Sequence, residues 1–208
     1  MKRLFLAAPL GMALLAAPAA AQSSFGVIGG FVNSEAELSG EGISLTLDSR
    51  SGFALGVSME HKLSPTLSFA PEAMYVTKGF EIEFEGDAAG LKFGYLEVPL
   101  LLRASFGSAG ASARPWVTAG PSVAFKLSCD VSVDAEDVEI EGDCDDLDEE
   151  DAAEFKSIDF GVMMGAGVDF GRFGLSVRYD LGLANILDTT EDVSYKNRAL
   201  MVLGSVRF

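Results

Sequence analysis

After residue 21 the sequence has no apolar run long enough to cross a membrane as a helix. It has one histidine, His61, and no Gly-x-Ser-x-Gly elbow. A lone histidine beside a short turn is ordinarily structural, so neither an enzyme nor a cofactor is expected. Basic residues are scarce: 15 against 31 acidic ones, a formal net charge of −16. Nucleic-acid binding needs a basic footprint, and it is excluded on that ground. Between Leu127 and Phe155 there are fourteen acidic residues and no basic one, so most of the imbalance lies in one segment. There are only two cysteines, and neither directly follows the small-residue site Ala19-Ala20-Ala21, so a lipoprotein anchor is not expected.

What is present begins with an export signal. Lys2 and Arg3 precede an apolar run from Leu4 to Ala17, and Ala19-Ala20-Ala21 forms a small-residue cleavage site before Gln22. Residues 1–21 are therefore expected to be a signal peptide and residues 22–208 one domain. An exported chain without an apolar helix can still enter a membrane as a closed barrel, which satisfies its backbone groups between strands.

The rest of the chain alternates with period two. The final strand, Asn197 to Phe208, places Leu200, Val202, Gly204, Val206 and Phe208 on one face. A terminal aromatic on an apolar face suits a membrane strand. Eight strands are expected, roughly Ser24–Glu35, Gly52–His61, Thr66–Lys78, Lys92–Ser105, Arg114–Lys126, Ser157–Phe170, Gly174–Ile186 and Asn197–Phe208. The connections alternate. Lys62–Pro65, Phe106–Ala113 and Gly171–Phe173 are short, whereas Ala36–Ser51, Gly79–Leu91, Leu127–Lys156 and Leu187–Lys196 are long. Outer-membrane barrels sort their connections this way, with short turns in the periplasm and long loops outside. Ile158, Phe160, Val162, Met164, Ala166, Val168 and Phe170 oppose Asp159, Gly161, Met163, Gly165, Gly167 and Asp169. Val177, Tyr179 and Leu181 likewise oppose Arg178 and Asp180. Apolar outside and polar inside is the sidedness of a membrane barrel.

Four phrases, Tyr95-Leu96-Glu97-Val98-Pro99-Leu100-Leu101-Leu102-Arg103, Pro115-Trp116-Val117-Thr118-Ala119-Gly120-Pro121-Ser122, Gly165-Ala166-Gly167-Val168-Asp169-Phe170 and Val177-Arg178-Tyr179-Asp180-Leu181-Gly182-Leu183, resemble the PorT-like outer-membrane β-barrel family. The resemblance spans essentially all of residues 22–208. It implies an all-β, eight-stranded antiparallel transmembrane barrel and no single activity. It does not account for the acidic segment 127–156.

The alternation turns Glu60, Glu72, Glu97, Arg103, Asp159, Asp169, Arg178, Asp180 and Arg207 inward. An eight-stranded barrel is just wide enough for side chains to fill, so these groups are expected to pair as a lumen network. A proton or ion path is the other reading. Cys129 and Cys144 lie in the acidic segment, and an exported pair most simply forms a disulfide, stabilising by about 3 kcal/mol in the chain-entropy model. A metal site would lack histidine, and free thiols would need a compartment that does not oxidise them. Asp143, Asp145, Asp146 and Asp148 are a weak calcium candidate without EF-hand spacing. The acidic segment is expected to be a solvated, self-repelling loop. Pro99 and Pro121 fall inside strands and are expected to mark bulges.

Together these features point to the cell outer membrane of a Gram-negative-type cell. They suggest a monomer in contact with the lipid bilayer, recognised by the barrel assembly machinery through the strand ending at Phe208. A structural or surface-interaction role is expected, with a narrow channel as the alternative. A soluble lipocalin-like binder is a more distant one, because it would invert the alternation.

Overall fold

The computed structural model describes residues 23–40, 43–84, 87–108, 110–135, 138–144, 156–184 and 194–208. The expected signal peptide and Asp145, Asp146 and Asp148 lie outside them. Among the described residues nine strands form: β1 Ser23–Gly40, β2 Ile43–Lys62, β3 Leu67–Phe84, β4 Asp87–Ser105, β5 Arg114–Ala135, β6 Val138–Asp143, β7 Ile158–Phe170, β8 Phe173–Gly182 and β9 Ser194–Arg207. All neighbours are antiparallel. Pairing of β1 with β9 and of β4 with β5 closes eight of them into a ring, leaving β6 as a short partner of β5. Closure removes both sheet edges, and in lipid an unpaired edge would cost several kcal/mol for each unsatisfied backbone group.

The two faces separate as the alternation requires. Phe25, Phe31, Phe53, Leu55, Leu100, Leu102, Val117, Phe160, Phe170, Phe173, Leu175, Val177, Leu200 and Val202 are all exposed on the outside. Ile28, Met74, Val76, Leu101, Met163, Met201 and Leu203 fill the inside. In a soluble protein such an outer surface would aggregate, but in a bilayer it is the solvated face. Phenylalanines gather at both ends of this band, with Phe25, Phe170, Phe173 and Phe208 towards the short turns and Phe31, Phe53 and Phe160 towards the other end. That placement matches the aromatic girdles of membrane barrels. The tightest short turn joins Phe170 to Phe173 through Gly171, whose φ of 59° is left-handed and suits glycine.

Several expectations need correction. The segments Ala36–Ser51 and Gly79–Leu91 are not long loops: β1 pairs with β2 out to Gly40–Ile43, and β3 with β4 out to Phe84–Asp87. Much of the acidic segment 127–156 is also strand, because β5 runs to Ala135 and pairs with β6. At 18 to 22 residues, β1 to β5 are about twice the length a bilayer needs, so the sheet continues beyond the apolar band. Glycines and acidic residues interspersed along these extensions disguise them as loops in the sequence, although Ile43, Leu45 and Leu47, and Phe80, Ile82 and Phe84, still alternate with polar residues. Pro99 and Pro121 do not mark bulges. Pro99 pairs with Ser122 and Pro121 with Val162, and the register is the same on either side of both. The β4–β5 register shifts instead between Gly94 and Tyr95. A proline removes only its own N–H from the ladder, which interrupts bonding locally without adding a residue.

The sidedness makes a test. Val177→Arg puts a charge on the lipid face and is expected to cost about 2–4 kcal/mol near the midplane. Ser176→Ala, one residue along and facing inward, is expected to cost less than 1 kcal/mol, as a single weak hydroxyl bond would. Urea unfolding from lipid vesicles measures both, and the reverse order would place the strand one residue out of register.

Candidate functional site: the charged lumen

Inside the ring, charged residues from six strands meet in three tiers. Nearest the short turns, Glu60 of β2, Arg103 of β4, Asp169 of β7 and Arg207 of β9 form one cluster. Arg207 Nη1 donates to Glu60 Oε2 at 2.8 Å, and its Nη2 lies 2.7 Å from Asp169 Oδ2. Arg103 pairs with Asp169 and sits 3.5 Å from Glu60. Ser68 Oγ donates to Glu60 at 2.8 Å, and Trp116 Nε1 donates to Asp169 at 3.1 Å. The Arg103 guanidinium stacks 4.1 Å from the Trp116 ring centre. Two cations meet two carboxylates here, and the tier is balanced.

The middle tier is one bidentate pair. Arg178 of β8 donates to both oxygens of Glu72 of β3, at 2.5 and 3.0 Å. Met74, Met163 and Met201 are fully buried around this level. A flexible thioether side chain suits the irregular gaps left by a guanidinium fork. The inward glycines of β7 make the room. A Cβ at Gly165 would come 2.8 Å from Arg178 Cγ, and one at Gly167 would run into the Trp116 ring.

The outer tier is acidic in excess. Lys78 Nζ of β3 bridges Glu97 Oε2 of β4 at 2.9 Å and Asp180 Oδ2 of β8 at 2.6 Å. Ser122 of β5 donates to Asp180 at 3.1 Å. Asp159 of β7 accepts from Asn197 of β9 at 3.2 Å. Lys78 also lies 5.8 Å from the centre of the Tyr95 ring.

The structure thus brings together all nine inward charges that the alternation singled out. It adds Lys78, which sequence reasoning missed because it closes an expected strand. The signal was available: Lys78 shares its parity with Glu72. Trp116, Tyr95, Ser122 and Asn197 were missed as polar partners, since neutral residues on an inward face do not announce their bonds.

Between the first two tiers, beside Glu72, Arg103, Trp116 and Arg178, the side chains leave a space of only about 20 Å³, too small to pass a hydrated ion.

Two other candidates lie apart. Cys129 and Cys144 are joined as a disulfide with their Cα atoms 5.4 Å apart, at the base of the β5–β6 hairpin. Cys129 packs with Phe93, Tyr95 and Ala124, with Leu91 and Cys144 against them, so an apolar knot anchors the hairpin to the barrel wall. Asp143, the last residue of β6, is the only described member of the calcium candidate. His61 lies near the short turns, its Nδ1 2.9 Å from Ser23 Oγ. Among the described residues no carboxylate bonds to it, and the neighbouring Glu60 is committed to the lumen.

A test follows from the outer tier. Lys78→Met leaves buried carboxylates without their cation and is expected to destabilise the barrel by about 3–5 kcal/mol. Adding Glu97→Leu and Asp180→Leu should recover most of that loss, because a packed apolar set is about as stable as a buried ion pair. Equal destabilisation by the single and triple variants in vesicle unfolding would contradict the pairing.

A family model described as "Outer membrane protein beta-barrel domain" matches residues 19–188. No curated protein matches the sequence. Among solved structures, the chain is similar to Neisserial surface protein A, at 17% identity and a TM-score of 0.44, over 89% of this chain and 99% of that one. It is similar to outer membrane protein OprG from Pseudomonas aeruginosa, at 13% identity and a TM-score of 0.47, over 89% and 96%. It is also similar to the outer membrane enzyme PagL, at 17% identity and a TM-score of 0.42, over 84% and 98%.

Proposed function

The chain belongs to the outer membrane protein beta-barrel domain family and resides in the cell outer membrane, and from that premise we propose a non-catalytic surface-presentation role. In this reading the barrel is a rigid, plugged monomer of the PorT-like type in a Gram-negative-type cell. It is exported by its first 21 residues and inserted by the barrel assembly machinery through the strand ending at Phe208. Its working part is the acidic β5–β6 hairpin held outside the cell.

The observation that carries the reading is the disulfide-clipped hairpin standing on a strand twice the length of a bilayer crossing. A loop meant only to connect two strands needs neither an apolar anchor nor a covalent clip. Bonding with Ser23 would set the orientation of His61 as a structural residue. The excess of carboxylates suits a basic partner, which the hairpin would draw in by long-range attraction.

Protease added to intact cells tests the topology. Cleavage between β5 and β7 is expected, leaving a membrane-protected remainder. Cys129→Ser with Cys144→Ser should speed that cleavage and leave the boiling-dependent gel shift of the folded barrel unchanged. Cleavage only after the outer membrane is ruptured would invert the topology and remove the surface role.

A further inference from the structure

Charge is sorted along the barrel axis in a way that surface presentation does not require. The short turns Leu63–Thr66, Phe106–Ala113 and Gly171–Arg172 contain no acidic residue, in a chain with 31 of them. At that end the lumen opens into a cavity of about 290 Å³. Lys62, Arg114, Arg172 and Arg207 line it, together with Glu60 and Asp169. Both carboxylates are already engaged by Arg103 and Arg207, and further by Ser68 and Trp116. Among the described residues, no carboxylate pairs with Lys62, Arg114 or Arg172. Arg114 donates through Nη2 to the Pro65 carbonyl at 2.6 Å, and its Nε is buried without a hydrogen-bond partner. Phe208 also lines the cavity, and a carboxylate there still leaves the balance positive.

We propose that this vestibule is a binding site for a phosphate group. Two guanidinium groups without a carboxylate partner among the described residues, Arg114 and Arg172, and the Lys62 ammonium line, beside the paired Arg207, a cavity at the small end of the ligand-pocket range of about 300–1,000 Å³. Guanidinium forks match phosphate oxygens in pairs, and an ammonium adds a point charge. The paired carboxylates hold Arg207 in place while leaving its neighbours free for an anion. The phosphate is either the headgroup of an anionic phospholipid in the facing leaflet or a soluble phosphate ester, since both present the same oxygens. The site does not depend on the surface role of the hairpin at the opposite end.

Calorimetric titration of the full chain, folded in uncharged detergent, tests it. Inorganic phosphate is one titrant and detergent micelles carrying phosphatidylglycerol are the other. One saturable site per barrel is expected. Lys62→Ala with Arg172→Ala, both exposed in or beside short turns, should weaken it about tenfold or more, the scale of losing charge-assisted bonds. Lys92→Ala, at the other end of the barrel, should leave it unchanged. Binding of inorganic phosphate identifies a soluble ligand, and binding of phosphatidylglycerol alone identifies the lipid headgroup. Absence of saturable binding to both, or equal weakening by Lys92→Ala, overturns the proposal.

Discussion

The fold depends on the pairing of charges enclosed by the ring of strands. Six carboxylates and four cations lie inside the ring of strands. Any one of them left alone would cost several kcal/mol. Most pairs join strands that are not ladder neighbours: Arg178 of β8 reaches Glu72 of β3, and Lys78 of β3 reaches Asp180 of β8 as well as Glu97 of the adjacent β4. The contacts between β3 and β8 cross the lumen, so they tie opposite walls together where the backbone ladder ties only neighbours. The ladder closes the barrel, and the pairs fill it.

Filling also decides what the small residues do. Arg103 and Trp116 stack at one level and Arg178 lies above them, which is possible because Gly165 and Gly167 put no side chain in the way. The three tiers differ in balance. The tier at the short turns is neutral and the outer one is acidic, and this continues the sorting seen outside the lumen, with Lys62, Arg114 and Arg172 in or beside acid-free turns at one end and the acidic hairpin at the other. The barrel is therefore electrically polar along its axis, with a rigid middle that separates two differently charged ends.

The sequence was most legible where a chemical contrast repeats. Lipid-facing strands such as β7 and β8 set apolar against glycine or charge at every step, and their faces read correctly residue by residue. The inward charges followed from the same parity. Legibility failed where the contrast fades. Between Ala36 and Ser51 and between Gly79 and Leu91, glycines and acidic residues crowd among the apolar ones, so the continuing ladders of β1 to β4 looked like loops. The acids after Leu127 suggested a solvated, self-repelling loop, although over the described residues 127–135 and 138–144 the knot of Phe93, Tyr95 and Cys129 and the disulfide hold β5 to β6. Pro99 and Pro121 misled because a proline within a register-true ladder leaves no mark in composition. Partnerships across the lumen were not legible at all, since parity gives a direction but not a depth.

Whether the paired charges close the lumen is measured most directly by electrical recording. Purified barrel inserted into a planar lipid bilayer should show no steady conductance above the membrane background, because the tiers leave no continuous space for a hydrated ion. Stable open levels of reproducible size would contradict the account and show that the charges line a pore instead of plugging it.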